Sequence, residues 1–262
     1  MREADRPSPQ EAATQLHAEK YPLARVLFCA GSVVRGEGCA SSDLDVVVLF
    51  DRVDNAWRES FHFAGWPVEV FAHDPETLAF FVEQDIQSGR PSLAQMLSEA
   101  VVVPRADAWS GAIQCWATRV LSTKPSAPSS ESLREDRYWI TDLVDDLRDN
   151  RSERELRAIA CKLYPAVCNF VLKTRGEWLG SGKTLPRLLA RAAPELAEEL
   201  EAAFALFFRT ADPASVLVVV ERVLAPFGGT YFDGFRSDAP TSSRVPRSRV
   251  PWLDEGVHRA PR

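Results

Sequence analysis

The sequence predicts an α+β protein, with an amino-terminal mixed sheet and helices followed by a carboxy-terminal helical bundle. Short β-branched apolar runs alternate with turn residues before residue 104. A Pro- and Ser-rich segment follows at 122–130, and beyond it apolar residues recur three and four apart. We expect a sheet domain at 1–121, a linker at 122–130, a helical domain at 131–235 and a disordered tail at 236–262.

The first half of the chain divides into short elements bounded by cap and turn residues. Ser8-Pro9-Gln10-Glu11 supplies an N-cap serine, a first-position proline and an acid, which predicts a helix to about Lys20. Ala64-Gly65 lies between two apolar runs and predicts a hairpin turn. The predicted strands cover 25–30, 46–50, 57–63, 66–71 and 101–103, and the remaining helices cover 75–87 and 92–100.

The second half reads as helical throughout. Ile140, Val144 and Leu147 lie three and four apart, the spacing of one helix face. Similar stripes predict about five helices, at 131–150, 153–174, 185–192, 194–208 and 213–224. A bundle buries such stripes most simply.

Composition narrows the classes of function. The net charge of -6 argues against a general nucleic-acid binder, whose footprint is usually basic. The five cysteines are odd in number and lack a Cys-x-x-Cys pair, so neither a disulfide framework nor a zinc site is expected. The amino terminus has no apolar leader and no run is long enough to cross a membrane. We expect a cytoplasmic protein without a membrane partner, and the pattern does not predict its oligomeric state.

Two acidic side chains mark the start of the second strand. Alternate residues of a strand point to one face, so Asp43 and Asp45 should project together while Leu44 and Val46 face the core. Adjacent carboxylates repel each other unless a cation lies between them. The pattern therefore predicts a divalent metal site, although strand-start acids are common without one.

The arrangement of Gly31-Ser32, ten further residues, Asp43-Leu44-Asp45 and the later acid Glu69 resembles the nucleotidyltransferase superfamily. That superfamily includes DNA polymerase beta and the aminoglycoside nucleotidyltransferases, and the layout is most similar to the aminoglycoside and kanamycin type. The resemblance covers about residues 22–105, and more faintly 131–226. It implies catalytic, metal-binding roles for Asp43, Asp45 and Glu69 around two Mg²⁺ ions. It also implies a nucleoside triphosphate, with ATP expected, as co-substrate.

Several residues are expected to contact that nucleotide. Gly31 and Ser32 would bring a backbone N–H and a hydroxyl to a phosphate. Arg35 would reach the triphosphate from the same loop, or lie solvated, and Ser42 is either a further contact or a turn residue. Lys183 is similar to a phosphate-binding lysine in the helical domain of the small-molecule enzymes. Its segment also ends like a Walker A loop, but Glu177 stands where that motif needs glycine.

The first helix of the bundle supplies candidates for acceptor binding. Tyr138, Asp142 and Asp145 are spaced to share one face, which is also typical of a solvated acidic surface. The resemblance implies that an acid of this helix acts as general base, and Glu69 is the alternative.

The sequence thus favours Mg²⁺-dependent transfer of a nucleoside monophosphate to a hydroxyl of a small molecule, with aminoglycoside-like antibiotics as the first acceptor class and pyrophosphate as product. Three alternatives stay open. The acceptor could be a protein or an RNA, as in antitoxin-type transferases, although nucleic acid is not expected. The protein could instead be a non-catalytic nucleotide sensor, or a P-loop kinase built on Gly182-Lys183-Thr184.

Overall fold

A computed structural model describes residues 6–149 and 151–251. It confirms the α+β class, with a five-stranded mixed sheet in the amino-terminal half and a succession of helices after it. The predictions for residues 1–5, for the end of a helix at Asn150 and for the tail beyond residue 251 lie outside the described residues. Among the helices that are described, none is long and apolar enough to cross a membrane.

The sheet has the strand order β3-β4-β2-β1-β5. Its strands are β1 Val26–Ala30, β2 Leu44–Leu49, β3 Trp57–Phe63, β4 Trp66–His73 and β5 Val101–Val103. Strands β2 and β4 run parallel, and the other neighbours are antiparallel. The predicted hairpin joins β3 to β4. Ala64 and Gly65 both have positive φ, as a two-residue type I′ turn requires, and Phe63 pairs with Trp66 across it.

Helices cover both faces of the sheet. They are α1 Pro9–Lys20, α2 Pro75–Gln87, α3 Ser92–Glu99 and α4 Ala108–Ser122. Alternate residues of β2 face opposite sides, so Val46 and Val48 pack with α1 while Val47 and Leu49 pack with α2, α3 and α4. Burial on both faces explains the unbroken apolar run of this strand.

Helix α4 is not among the elements that the sequence predicts. Its signals are an N-cap at Asp107, whose carboxylate accepts from the backbone N–H of Ser110, and a stripe of Trp109, Ile113 and Trp116. Three of its first four residues, Ala-Trp-Ser-Gly, are not strong helix formers, which weakens the local pattern. Packing of the stripe against the sheet and α3 stabilises the helix instead.

In the described residues of the carboxy-terminal half the chain forms five α-helices, as predicted. They are α5 Ser130–Arg148, α6 Glu153–Thr174, α7 Thr184–Ala192, α8 Pro194–Thr210 and α9 Ala214–Leu224. Leu163, Phe170 and Phe207 are almost completely buried in their common core. The apolar clusters of the sheet and of this bundle are separate. The domain limits and the linker given above stay predictions.

Candidate active site

Three carboxylates meet where the start of β2 lies beside the middle of β4. Asp45 and Glu69 are register neighbours on these parallel strands, and Asp43 lies just before β2. One ligand oxygen from each of the three lies within 4.8 Å of the others. Leu44 and Val46 are fully buried on one face of β2, so Asp45 between them points to the opposite face. The group could hold a metal ion, since hard divalent cations prefer clustered carboxylate oxygens.

The charges of Asp43, Asp45 and Glu69, called the acidic triad below, favour the binding of a cation. Burial, followed by the charges of Asp43 and Glu69, raises the pKa of Asp45 from 3.8 to about 6. The positive side chains of Lys183 and Arg35 act in the opposite direction on the same carboxyl. Desolvated like charges are therefore only partly balanced by the protein, and a cation bound among the three oxygens would relieve the repulsion.

Gly31 provides the close approach that Asp45 needs. Ala30, the last residue of β1, pairs with Asp45, and the chain then turns at Gly31 with a φ of 90°. A Cβ on residue 31 would lie 2.3 Å from Oδ2 of Asp45. Both the positive φ and the absent side chain are therefore required here.

The serines predicted near the nucleotide are buried and bonded to each other. The Ser32 hydroxyl donates to Ser42 Oγ at 3.3 Å, and Ser42 Oγ accepts from the backbone N–H of Cys39 at 2.9 Å. The structure thus shows both side chains bracing the loop between β1 and β2. Hydrogen bonds from Ser41 and Ser42, together with the Lys183 charge, lower the pKa of the exposed Cys39 thiol to about 7.

Arg35 is bound by carboxylates of its own chain. Its guanidinium pairs with Glu99 and with Glu37, the latter at 3.2 Å from Nε. Glu37 also accepts from Nη1 of Arg187 at 2.9 Å, so it joins the loop to helix α7. This contact between Glu37 and Arg187 was not predicted, because residues 150 apart in the chain give no local signal of contact.

Lys183 lies at the N-cap position of α7, close enough to act on both Asp45 and Cys39. The loop before it is anchored on the sheet domain, where the backbone N–H of Leu179 donates to Gly89 O at 2.8 Å. The segment ahead of that loop is the end of α6, as predicted, so Lys183 is not preceded by the strand of a P-loop.

A further residue touches the triad from the edge strand. Nη2 of Arg58 donates to both oxygens of Glu69, at 2.8 and 2.7 Å. Ser60 pairs with Glu69 and Arg58 with Phe71, so Arg58 is diagonal to Glu69 on one face of the hairpin. The two-residue turn determines this register, so counting back from Ala64-Gly65 would have found the contact.

The residues expected to bind the acceptor lie on α5. The Tyr138 ring stacks on Phe235, with centroids 3.7 Å apart, and more distantly on Phe232. Asp142 is half-buried, whereas Asp145 is exposed and bonded to Arg148 at 2.6 Å. Their part in acceptor binding stays a prediction.

Comparison with known proteins gives little beyond this geometry. No family profile and no curated protein matches the chain. Among solved structures, a nucleotidyltransferase-like protein from Exiguobacterium sibiricum is similar at 10% identity and a TM-score of 0.45, over 83% of this chain and 74% of that one.

Proposed function

We propose that the protein is a Mg²⁺-dependent nucleotidyltransferase that moves a nucleoside monophosphate from a nucleoside triphosphate to a hydroxyl of a small molecule. ATP is the first candidate for the donor. One observation carries the proposal. Asp43, Asp45 and Glu69 converge on two parallel strands, directly beside the Gly31 turn. Clustered carboxylates next to a tight glycine turn are the arrangement that metal-assisted phosphoryl transfer uses.

In this proposal the chain binds and orients the reactants. The three carboxylates hold the metal, and Mg²⁺ would supply charge neutralisation at the attacking and leaving oxygens. Backbone N–H groups at the start of the Gly31 turn would contact the triphosphate, and Lys183 would add a positive charge from the helical side. Arg35 and Arg187 lie at the same loop, where Glu37 and Glu99 pair with them, so either arginine would have to leave a carboxylate to bind a phosphate.

The reaction forms a bond from the acceptor oxygen to the α-phosphorus and breaks the bond between the α-phosphorus and the bridging oxygen. The leaving group is pyrophosphate. The hydroxyl proton passes to a carboxylate, for which Glu69, Asp142 and Asp145 are the candidates. We assign the acceptor side to the α5 face that carries Tyr138.

The choice of acceptor class rests on charge. A chain with a net charge of -6 and acids along α5 suits a cationic small molecule, and an aminoglycoside-like compound is the first to test. Protein or RNA acceptors and nucleotide sensing without turnover are the competing functions, and the same assay distinguishes them.

The test is acceptor-dependent release of pyrophosphate. Each labelled nucleoside triphosphate is incubated with Mg²⁺ and a panel of aminoglycosides, lincosamides, protein and tRNA. We expect release with a small-molecule acceptor, its loss in Asp45→Asn, and its retention in Asp51→Asn, a matched change at an aspartate with 85% of its side chain exposed. Release that survives Asp45→Asn would contradict the metal assignment, and release of phosphate or ADP would indicate a kinase. Nucleotide binding without turnover would favour a sensor.

A further inference from the structure

We propose that Arg58 is a positioning residue that holds Glu69 in the orientation needed for metal binding. This inference rests on the proposed function, because it assigns a role at the same metal site. It adds a residue of the edge strand β3, outside the loop and acids that the sequence pattern identifies.

The contact constrains a side chain that is otherwise mobile. Glutamate has three rotatable bonds, and Glu69 keeps 31% of its side-chain surface exposed. Arg58 bonds both of its oxygens through a single nitrogen. Charge-assisted contacts of this length are strong and directional. The Glu69 carboxylate is therefore directed towards β3 and restricted in its rotamers before any cation arrives.

Arg58 is itself held in place. Its guanidinium carbon lies 4.9 Å from the centre of the Phe71 ring, the residue with which Arg58 pairs across the hairpin. The backbone ladder from the type I′ turn sets this register, and the ring limits the rotamers of the arginine. Although 60% of the Arg58 side chain is exposed, its head group is thus directed at Glu69.

The contact is compatible with a metal on the other side of the carboxylate. Each carboxylate oxygen has a second lone pair after accepting one hydrogen bond. An outer partner that orients a ligating carboxylate typically contributes ten- to a hundredfold to metal affinity or activity. Without Arg58, Glu69 is free to turn away from Asp43 and Asp45, whose charges repel it.

The experiment measures binding of Mn²⁺ to the full-length protein by electron paramagnetic resonance, so it does not depend on turnover or on knowing the acceptor. We expect Arg58→Gln to weaken Mn²⁺ binding by about ten- to a hundredfold. Arg58→Lys, which keeps the charge but loses the planar guanidinium that packs on Phe71, should fall between that variant and the wild type. The matched control is Arg52→Gln, since Arg52 pairs with Glu76 in an exposed pair away from the triad.

A double variant separates positioning from a general loss of structure. If Arg58 acts through Glu69, adding Arg58→Gln to Glu69→Gln should change Mn²⁺ affinity by no more than about twofold. Additive losses in the double variant, or a wild-type affinity in Arg58→Gln, would overturn the inference while leaving the metal site intact. A wild-type protein that binds no Mn²⁺ would overturn both this inference and the proposed function.

Discussion

Asp45→Asn should make the metal-free protein more stable. The Asp45 carboxyl is desolvated beside two other acids, so its charged form is less favourable in the folded protein than in the unfolded chain. Asparagine has nearly the same shape and carries no charge. The substitution therefore removes a destabilising charge, while it also removes a metal ligand.

The magnitude follows from the shift in pKa. A rise from 3.8 to about 6 is roughly two pKa units, and each unit corresponds to about 1.4 kcal/mol. If solvent did not screen the charge at all, the gain in the free energy of unfolding at neutral pH would be about 3 kcal/mol. Because solvent reaches this site, we reduce the expected gain in the free energy of unfolding to about 1–2 kcal/mol.

The pH dependence has a definite sign. Between pH 3.8 and about 6 the folded state binds more protons at Asp45 than the unfolded state does. The contribution of Asp45 to the free energy of unfolding therefore falls as the pH rises through this interval, and this contribution is most unfavourable above pH 6. The advantage of Asp45→Asn should be complete at pH 7.5, and should shrink as the pH is lowered from 6 towards 4.

Urea unfolding in EDTA and in excess Mg²⁺ measures both effects. In EDTA at pH 7.5 the variant should unfold at higher urea than the wild type. Mg²⁺ should stabilise the wild type by about 1.4 kcal/mol for each tenfold excess over its dissociation constant, and the variant by clearly less. Asp51→Asn should change neither value, because Asp51 is exposed at the opposite end of β2. Equal or lower stability of metal-free Asp45→Asn would refute the reasoning.

Three further substitutions test the loop and its partners. Gly31→Ala should lower the free energy of unfolding by about 1–3 kcal/mol in urea titrations and weaken Mn²⁺ binding. Gly36 is the control, because it also has a positive φ but has open space around it. Gly36→Ala should therefore cost less stability and leave metal binding unchanged. Lys183→Ala should weaken binding of a non-hydrolysable ATP analogue at least about tenfold, measured by calorimetry. It should also raise the pKa of Asp45 further, because the Lys183 charge lowers that pKa. Unchanged affinity for the analogue would argue against a phosphate contact. Glu37→Gln should bind the analogue more tightly, since a carboxylate that competes with phosphates for two arginines is lost, and weaker binding would contradict that competition.

The sheet half of the protein could be predicted well from the sequence because its signals are local. A turn with two positive-φ positions determined the β3–β4 hairpin, and alternation placed Asp43 and Asp45 on one side of β2. The parallel pairing of β2 with β4 was not predicted, because it joins segments separated by another strand. That pairing is what brings Glu69 beside Asp45.

Contacts of the loop with the rest of the chain could not be predicted in the same way. Glu37 reaches Arg187 on α7, and Arg35 reaches Glu99 at the end of α3. Both depend on how helices dock on the sheet, which apolar patterns do not specify to the precision of a hydrogen bond. The stacking of Tyr138 on Phe235 has the same origin, since it depends on residues after α9 folding back over α5.

The acidic triad and the Gly31 turn favour a bound ligand by their own geometry, apart from any similar protein. Two departures from ordinary folding rules lie side by side at the acidic triad and its loop. Gly31 turns with positive φ directly against a carboxylate, and Asp45 is an acid whose charge the fold disfavours. Such conflicts are expected where a site is organised for a ligand, because local stability is given up for a charge arrangement that binding then relieves. A divalent cation among Asp43, Asp45 and Glu69 would resolve this conflict.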